Sequence, residues 1–247
     1  MLTRLLSAGL VVVFAGCTSP TQSTEPPSRA TAPADPSAPE SATPPASPCE
    51  ACLEEGDAQR AAENFPAALE QYTRACDTGV AEGCFRAGEM HNNGATMSGI
   101  TGDPERGAEL LDRACADGIA DACAFLATNY ALGRGVPQDD RRATELQVRA
   151  CEGGALPINC SQAASAYLTG RGVGEDATRA RELFGKACDA GDPRGCYELA
   201  RLYEAGQGGA QDAERTAELL RQACDAGHQT ACTSMGGAAQ TDPPSRP

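Results

Sequence analysis

The sequence predicts an all-α fold, an α/α solenoid of tandem helix-turn-helix repeats. Three observations carry this. Cysteines recur in pairs, Cys76 with Cys84, Cys115 with Cys123, Cys188 with Cys196 and Cys224 with Cys232, each with seven residues between, and Cys151 with Cys160 with one more. The first cysteines of successive pairs stand 39, 36, 37 and 36 residues apart, the period of a repeat array. Apolar residues before each pair, such as Ala180, Leu183, Phe184, Ala187 and Cys188, follow the i, i+3, i+4, i+7, i+8 stripe of an amphipathic helix.

Composition fits closely packed helices. Aromatic residues make up 4% of the chain and Trp is absent, so the core must come from Ala, Leu and cystine. Lys186 is the only lysine among 20 basic residues, against 34 acidic ones, for a net charge of −14. Such a surface repels phosphate backbones and excludes nucleic acid as a partner. Thirteen cysteines point to an oxidising compartment, unless metal binding explains them.

The elements follow in chain order. Residues 1–16 read as a signal peptide: basic Arg4, an apolar run from Leu5 to Phe14, then Ala15 and Gly16 before Cys17. The run is about half of the roughly 20 residues that a spanning helix needs. Its ending, "FAGC", resembles the lipobox of bacterial lipoproteins. That resemblance implies cleavage before Cys17, acylation of Cys17 and membrane attachment through its lipid. Thr18 in the following position implies the outer membrane as destination, with periplasm or exterior left open. Removing residues 1–16 takes away Arg4 and no acid, so the mature chain is one unit more negative.

With the acylated Cys17, residues 17–48 form the next segment. Beyond Cys17 they are mostly Pro, Ser, Thr and Ala, with no apolar side chain larger than Pro. Nothing here offsets the entropy of ordering, so the segment reads as a disordered tether with a reach on the order of 95 Å when extended. Residues 49–236 hold the array, and 237–247 read as a flexible tail.

Within each repeat, a helix here called B ends at the first cysteine of a pair. The preceding residue is always Ala (Ala75, Ala114, Ala150, Ala187, Ala223), and three residues after the cysteine comes Gly (Gly79, Gly118, Gly154, Gly191, Gly227). A left-handed Gly closes a helix because a Cβ there meets the backbone. The second cysteine opens the stripe of the next helix A, as in Cys196, Leu199, Ala200 and Tyr203. Ten residues later Gly returns at Gly94, Gly133, Gly170 and Gly206. An acidic or polar cap then starts the next helix B, as at Asp103 before Pro104.

The pattern "L-A-x-x-Y-x-x-G-x-G-V" followed by "K/R-A-x-x-L-x-x-A-C-x-x-G" resembles the Sel-one-like repeat, a relative of the tetratricopeptide repeat. With a cysteine ending helix B and another opening helix A, it is similar to the secreted, disulfide-rich branch named for the Helicobacter cysteine-rich proteins. The resemblance covers residues 49–236. Residues 53–75 look like a tetratricopeptide hairpin and the expected N-terminal cap, and "QTACTSMGG" like a closing half-copy. Implied are a superhelical scaffold and disulfides Cys76–Cys84, Cys115–Cys123, Cys151–Cys160, Cys188–Cys196 and Cys224–Cys232. An antiparallel return through a short turn is compatible with the Cα separation such bridges require. Cys52 stands at a helix A cysteine position with Cys49 in place of a helix B partner, giving Cys49–Cys52 as a sixth bridge, with a redox role for this C-x-x-C as the alternative.

The remaining residues offer few groups that could carry chemistry. Zinc needs converging soft ligands, and only His91 and His228 exist; a Cys224, His228, Cys232 cluster can be drawn but has no counterpart in the other copies. His91 falls where three copies carry Tyr and reads as a packing residue. An S-x-x-K acylation motif is missing, since Leu183 precedes Lys186 by three. "GRGVGE" from Gly170 looks like a phosphate loop only in composition and recurs as a repeat turn. "GATMSGITGD" is three residues longer than its counterparts and accounts for the 39-residue interval; it reads as a neutral insertion, with a binding loop as the alternative. No residue is assigned a catalytic, cofactor-binding or metal role.

The expected function is an envelope-anchored scaffold that binds a protein or peptide, favouring a basic one, on a concave face lined by A helices. The alternative, implied only by the resemblance to the cysteine-rich branch, is β-lactamase or penicillin-binding-like activity.

Overall fold

A computed structural model describes residues 48–94 and 97–238, without side-chain detail for 48–50 and 236–238. The signal peptide, Cys17, residues 17–47 of the tether and 239–247 of the tail lie outside the described residues. Those described form eleven helices and no strand: α1 (Pro48–Ala61), α2 (Phe65–Asp77), α3 (Ala81–Asn93), α4 (Pro104–Ala116), α5 (Ala120–Leu132), α6 (Asp140–Glu152), α7 (Pro157–Thr169), α8 (Ala177–Asp189), α9 (Pro193–Ala205), α10 (Ala213–Asp225) and α11 (Gln229–Ala238). Each helix packs on its neighbours in the chain, as tandem hairpins do. Even-numbered helices from α2 are the B helices; odd-numbered ones from α3 are the A helices.

The B helices α4, α6, α8 and α10 start the same way, whereas α2 begins after Asn64 without a side-chain cap. The carboxylates of Asp103, Asp139, Asp176 and Asp212 accept from the backbone N–H of Arg106, Arg142, Arg179 and Arg215, filling the donors that a helix start leaves open. Those arginines then reach one turn on to Glu109, Glu145, Glu182 and Glu218. Each B helix also ends the same way. The N–H of Ile119 bonds the carbonyl of Ala114 and that of Gly118 the carbonyl of Cys115, with Gly118 at φ 96°. This is a Schellman close, and Gly79, Gly154, Gly191 and Gly227 repeat it at φ between 84° and 94°.

The "G-x-G" turns after helices A hold neighbouring repeats together. Gly133, Gly170 and Gly206 close their helices in the left-handed region. The second glycine does more: a Cβ on Gly172 would run into the backbone of Asp140 at the start of α6, and Gly135 and Gly208 press likewise on Pro104 and Ala177. The phosphate-loop likeness is thus a packing device. Gly94 departs from its sisters, with a right-handed φ of −54°. The longer segment after it turns at Gly99 beside Pro66 and lays Met97 and Ile100 on the core.

The core is built of Ala, Leu and cystine, as composition required. It falls into two clusters, one from Ala68 to Ala150 and one from Cys151 to Ala231. Where the two clusters meet, α6 and α7 carry buried Thr144, Gln147, Asn159 and Ser161, the last bonded to Asp192.

Candidate binding groove

The implied pairing is present at five joints. Cys76–Cys84, Cys115–Cys123, Cys151–Cys160, Cys188–Cys196 and Cys224–Cys232 are disulfides with Cα atoms 4.4 to 4.7 Å apart. The extra residue before Cys160 leaves this span unchanged at 4.7 Å. It is absorbed by the turn, which pushes Leu156 outward to 68% exposure. Of the sixth pair, Cys52 is half-buried on α1, and the side chain of Cys49 lies outside the described residues.

The two histidines sit apart. His228 stacks on Tyr197 with ring centroids 4.4 Å apart, and its Nδ1 accepts from the N–H of Ala231. Cys224 and Cys232 are bonded to each other, so their sulfurs are not thiolates held for a metal. His91 is half-buried at the end of α3 with Nδ1 buried and unpartnered, and burial lowers its pKa. Among the described residues no three His, Cys, Asp or Glu side chains group as metal ligands, and no helix is long and apolar enough to cross a membrane.

What the residues do assemble is a groove of about 290 Å³ along the exposed face of α5, bounded by the end of α3 and the start of α7. Its floor is apolar. Phe125 packs edge-on against Phe85 at 5.7 Å, and Leu156 and Ile158 face the groove with 68% and 45% of their surface exposed. Amides ring it: Asn92 and Asn129 exchange two hydrogen bonds of 3.2 Å, and Gln162 Oε1 accepts from Gln147 Nε2 at 3.3 Å. Exposed Asp121 and Arg134 line it and have no ion-pair partner among the described residues. Arg134 is the one arginine lining the groove, whereas Arg60 and Arg86, elsewhere among the described residues, are engaged with Glu89 and Glu82.

Sequence reasoning missed this groove, yet its signals were present. Asn129 stands where sister helices carry Met90, Ala166 and Leu202, and Gln147 where they carry Tyr72, Leu111, Phe184 and Leu220. Two polar residues at core positions, beside the joint with an extra residue, mark one repeat as different.

The Sel1 repeat family matches residues 81–119, 120–154, 160–192 and 193–228, over half of the chain. A protective antigen of uropathogenic Escherichia coli with an SLR fold aligns over 79% of this chain and 43% of its own, at 24% identity and a TM-score of 0.71. A Sel1 repeat protein from Oxalobacter formigenes covers 78% of this chain and 76% of its own, at 22% identity and a TM-score of 0.63. Both likenesses show the fold. Cytochrome c oxidase assembly factor 7A of Xenopus laevis is 34% identical over 83 residues, 34% of this chain and 35% of the relative. The chain thus spans about a third of the length of that curated relative. With the four matched segments falling on successive A and B helices, the chain belongs to the Sel1 repeat family.

Proposed function

We propose that the chain is a scaffold that holds a partner protein or peptide against the A-helix face of α3, α5 and α7, anchored to a bacterial envelope membrane through lipid on Cys17. Proteins of Sel1 repeats commonly mediate protein–protein interaction and are typically not enzymes. The observation that carries the reading is the groove: two large aliphatic side chains, Leu156 and Ile158, stand exposed beside unpaired Asp121 and Arg134. Exposed apolar surface rimmed by polar groups is the usual mark of an interaction site.

The A-helix face is favoured as the concave one by the spacing of the layers. α3 reaches α5 and α7 reaches α9 directly. Neighbouring B helices are bridged by long arginines, Arg113 to Cys76 and Arg149 to Cys115. The more closely spaced layer lies on the inside of a curve. Five disulfides and the signal-like residues 1–16 support an oxidising, extracytoplasmic setting, and Thr18 favours the outer membrane. The acid excess favours a partner of net positive charge, held less well as salt rises.

Photo-crosslinking residues at Thr128 and Ser165, with Glu182 on a B helix as control, test the face in intact cells. Adducts from the first two positions are expected; adducts from Glu182 alone would reject it. Cys17→Ser, expected to abolish lipid labelling and release the chain from membranes, tests the anchor.

A further inference from the structure

The groove along α5 carries an unpaired charge towards each end. Asp121 stands in the first turn of α5 and Arg134 one residue past its C-cap, Gly133. Thirteen residues at 1.5 Å each set them about 20 Å apart along the helix. An extended chain rising about 3.3 Å per residue covers that distance in about six residues.

Between the charges the floor is apolar, with Phe125 beneath and Leu156 and Ile158 alongside. The walls offer amides. Gln162 turns its oxygen inward to Gln147 Nε2, so its own Nε2 is left for an acceptor from outside. Gln147 itself lies behind the wall, its residue 6% exposed and its Oε1 buried without a partner. The Gln162 donor can pair with a free peptide carbonyl. A helical partner has satisfied its own backbone except at its ends, and would leave the Gln162 donor idle. An extended segment presents the C=O groups that this donor matches.

We infer that the groove takes an extended peptide segment of about six residues, with a basic side chain at the Asp121 end, an acidic one at the Arg134 end, and aliphatic side chains between. The assignment rests on the reading of this groove as the binding face and goes beyond it. Overall charge predicts only a basic partner; the local pair of opposite charges selects a segment with both signs in fixed order.

Random heptapeptides displayed on phage and selected on the purified, oxidised full chain test it. Enriched peptides are expected to carry Lys or Arg and Asp or Glu about five residues apart, with aliphatic residues between. Asp121→Asn and Arg134→Gln should each weaken a selected peptide about two- to fivefold at low salt, as for exposed charge pairs. Both side chains are exposed, so folding is checked by circular dichroism and is expected to be unchanged. The double variant Asp121→Arg with Arg134→Asp should prefer the same peptide with its charges exchanged. The assignment is overturned if no heptapeptide is enriched, or if the enriched ones bind the charge-reversed chain equally well. Cross-links from Thr128 would then still stand for the broader binding face, whereas their loss would remove that face itself.

Discussion

Arg149 Nη2 donates to the carbonyl oxygen of Cys115 at 2.9 Å, tying the last turn of α6 to the last turn of α4. Arg113 makes the same bond to Cys76 at 3.0 Å. Both arginines lie two residues before a helix B cysteine, and both add a second donor to a carbonyl that already accepts from the closing glycine, Gly79 or Gly118. Their charge also meets the negative end of that helix. At the next step the position holds Lys186, which lines the hollow beside Cys151 and Cys160.

Replacing Arg149 by Met keeps most of the stem packing and removes the bond. Because the guanidinium is partly solvated, the expected loss is about 1 kcal/mol, read as a lower urea midpoint at unchanged slope. Arg149→Lys should recover only part of it, since a lysine offers a point charge in place of a planar fork. An Arg149→Met midpoint equal to wild type would show that the bridge adds nothing to stability.

Four of the disulfides close loops of nine residues and Cys151–Cys160 one of ten, which corresponds to roughly 2.5 kcal/mol each in the chain-entropy account. Cys115→Ala with Cys123→Ala removes one from a joint where both sulfurs are buried. The variant is expected to unfold at a temperature several degrees lower, and full reduction of the wild type to cost far more than any single pair. Identical melting of oxidised and reduced chains would contradict a stapling role.

Two glycines with similar backbone angles separate conformational cost from packing cost. Gly191 has φ 89° and open space where a Cβ would stand, so Gly191→Ala costs only the left-handed conformation, about 1 kcal/mol. Gly172 has φ 72° and lies against the backbone of Asp140, so Gly172→Ala must also displace the start of α6. Its expected loss exceeds that of Gly191→Ala by about 2 kcal/mol. Equal losses in denaturant titration would mean that the turn does not bear on the neighbouring repeat.

Period, caps and staples were legible because each is local: an Asp at a helix start or a Gly at its close acts on residues within a few positions. Asp103 and Gly118 could be placed from the sequence for that reason. The groove was not legible, because it joins residues from three helices. Asn92 and Asn129 meet across 37 positions, and Leu156 is exposed only because one extra residue bends a turn whose bridge stays the same length. A charge count favours a basic partner but could not say that Asp121 and Arg134 line one groove without an ion-pair partner among the described residues.

His91 gives the last prediction. It occupies the position held by Tyr130, Tyr167 and Tyr203 in the other A helices, and its Nδ1 is buried with nothing to bond. Burial lowers its pKa, Asp103 pulls against that shift, and Arg106 adds to it. A folded value below the unfolded reference of about 6.5 means that the unfolded chain takes up the proton first. The stability tied to neutral His91 is therefore present above about pH 6.5 and is lost as pH falls towards the lowered folded value. His91→Tyr removes the titrating group and restores the residue of the sister repeats. Thermal midpoints measured at about pH 7.5 and about pH 5.5 should fall further for the wild type than for His91→Tyr, the carboxylates staying ionised in both across that range. Equal falls would show that the imidazole titrates without being linked to folding, and would place it in contact with water at its buried nitrogen.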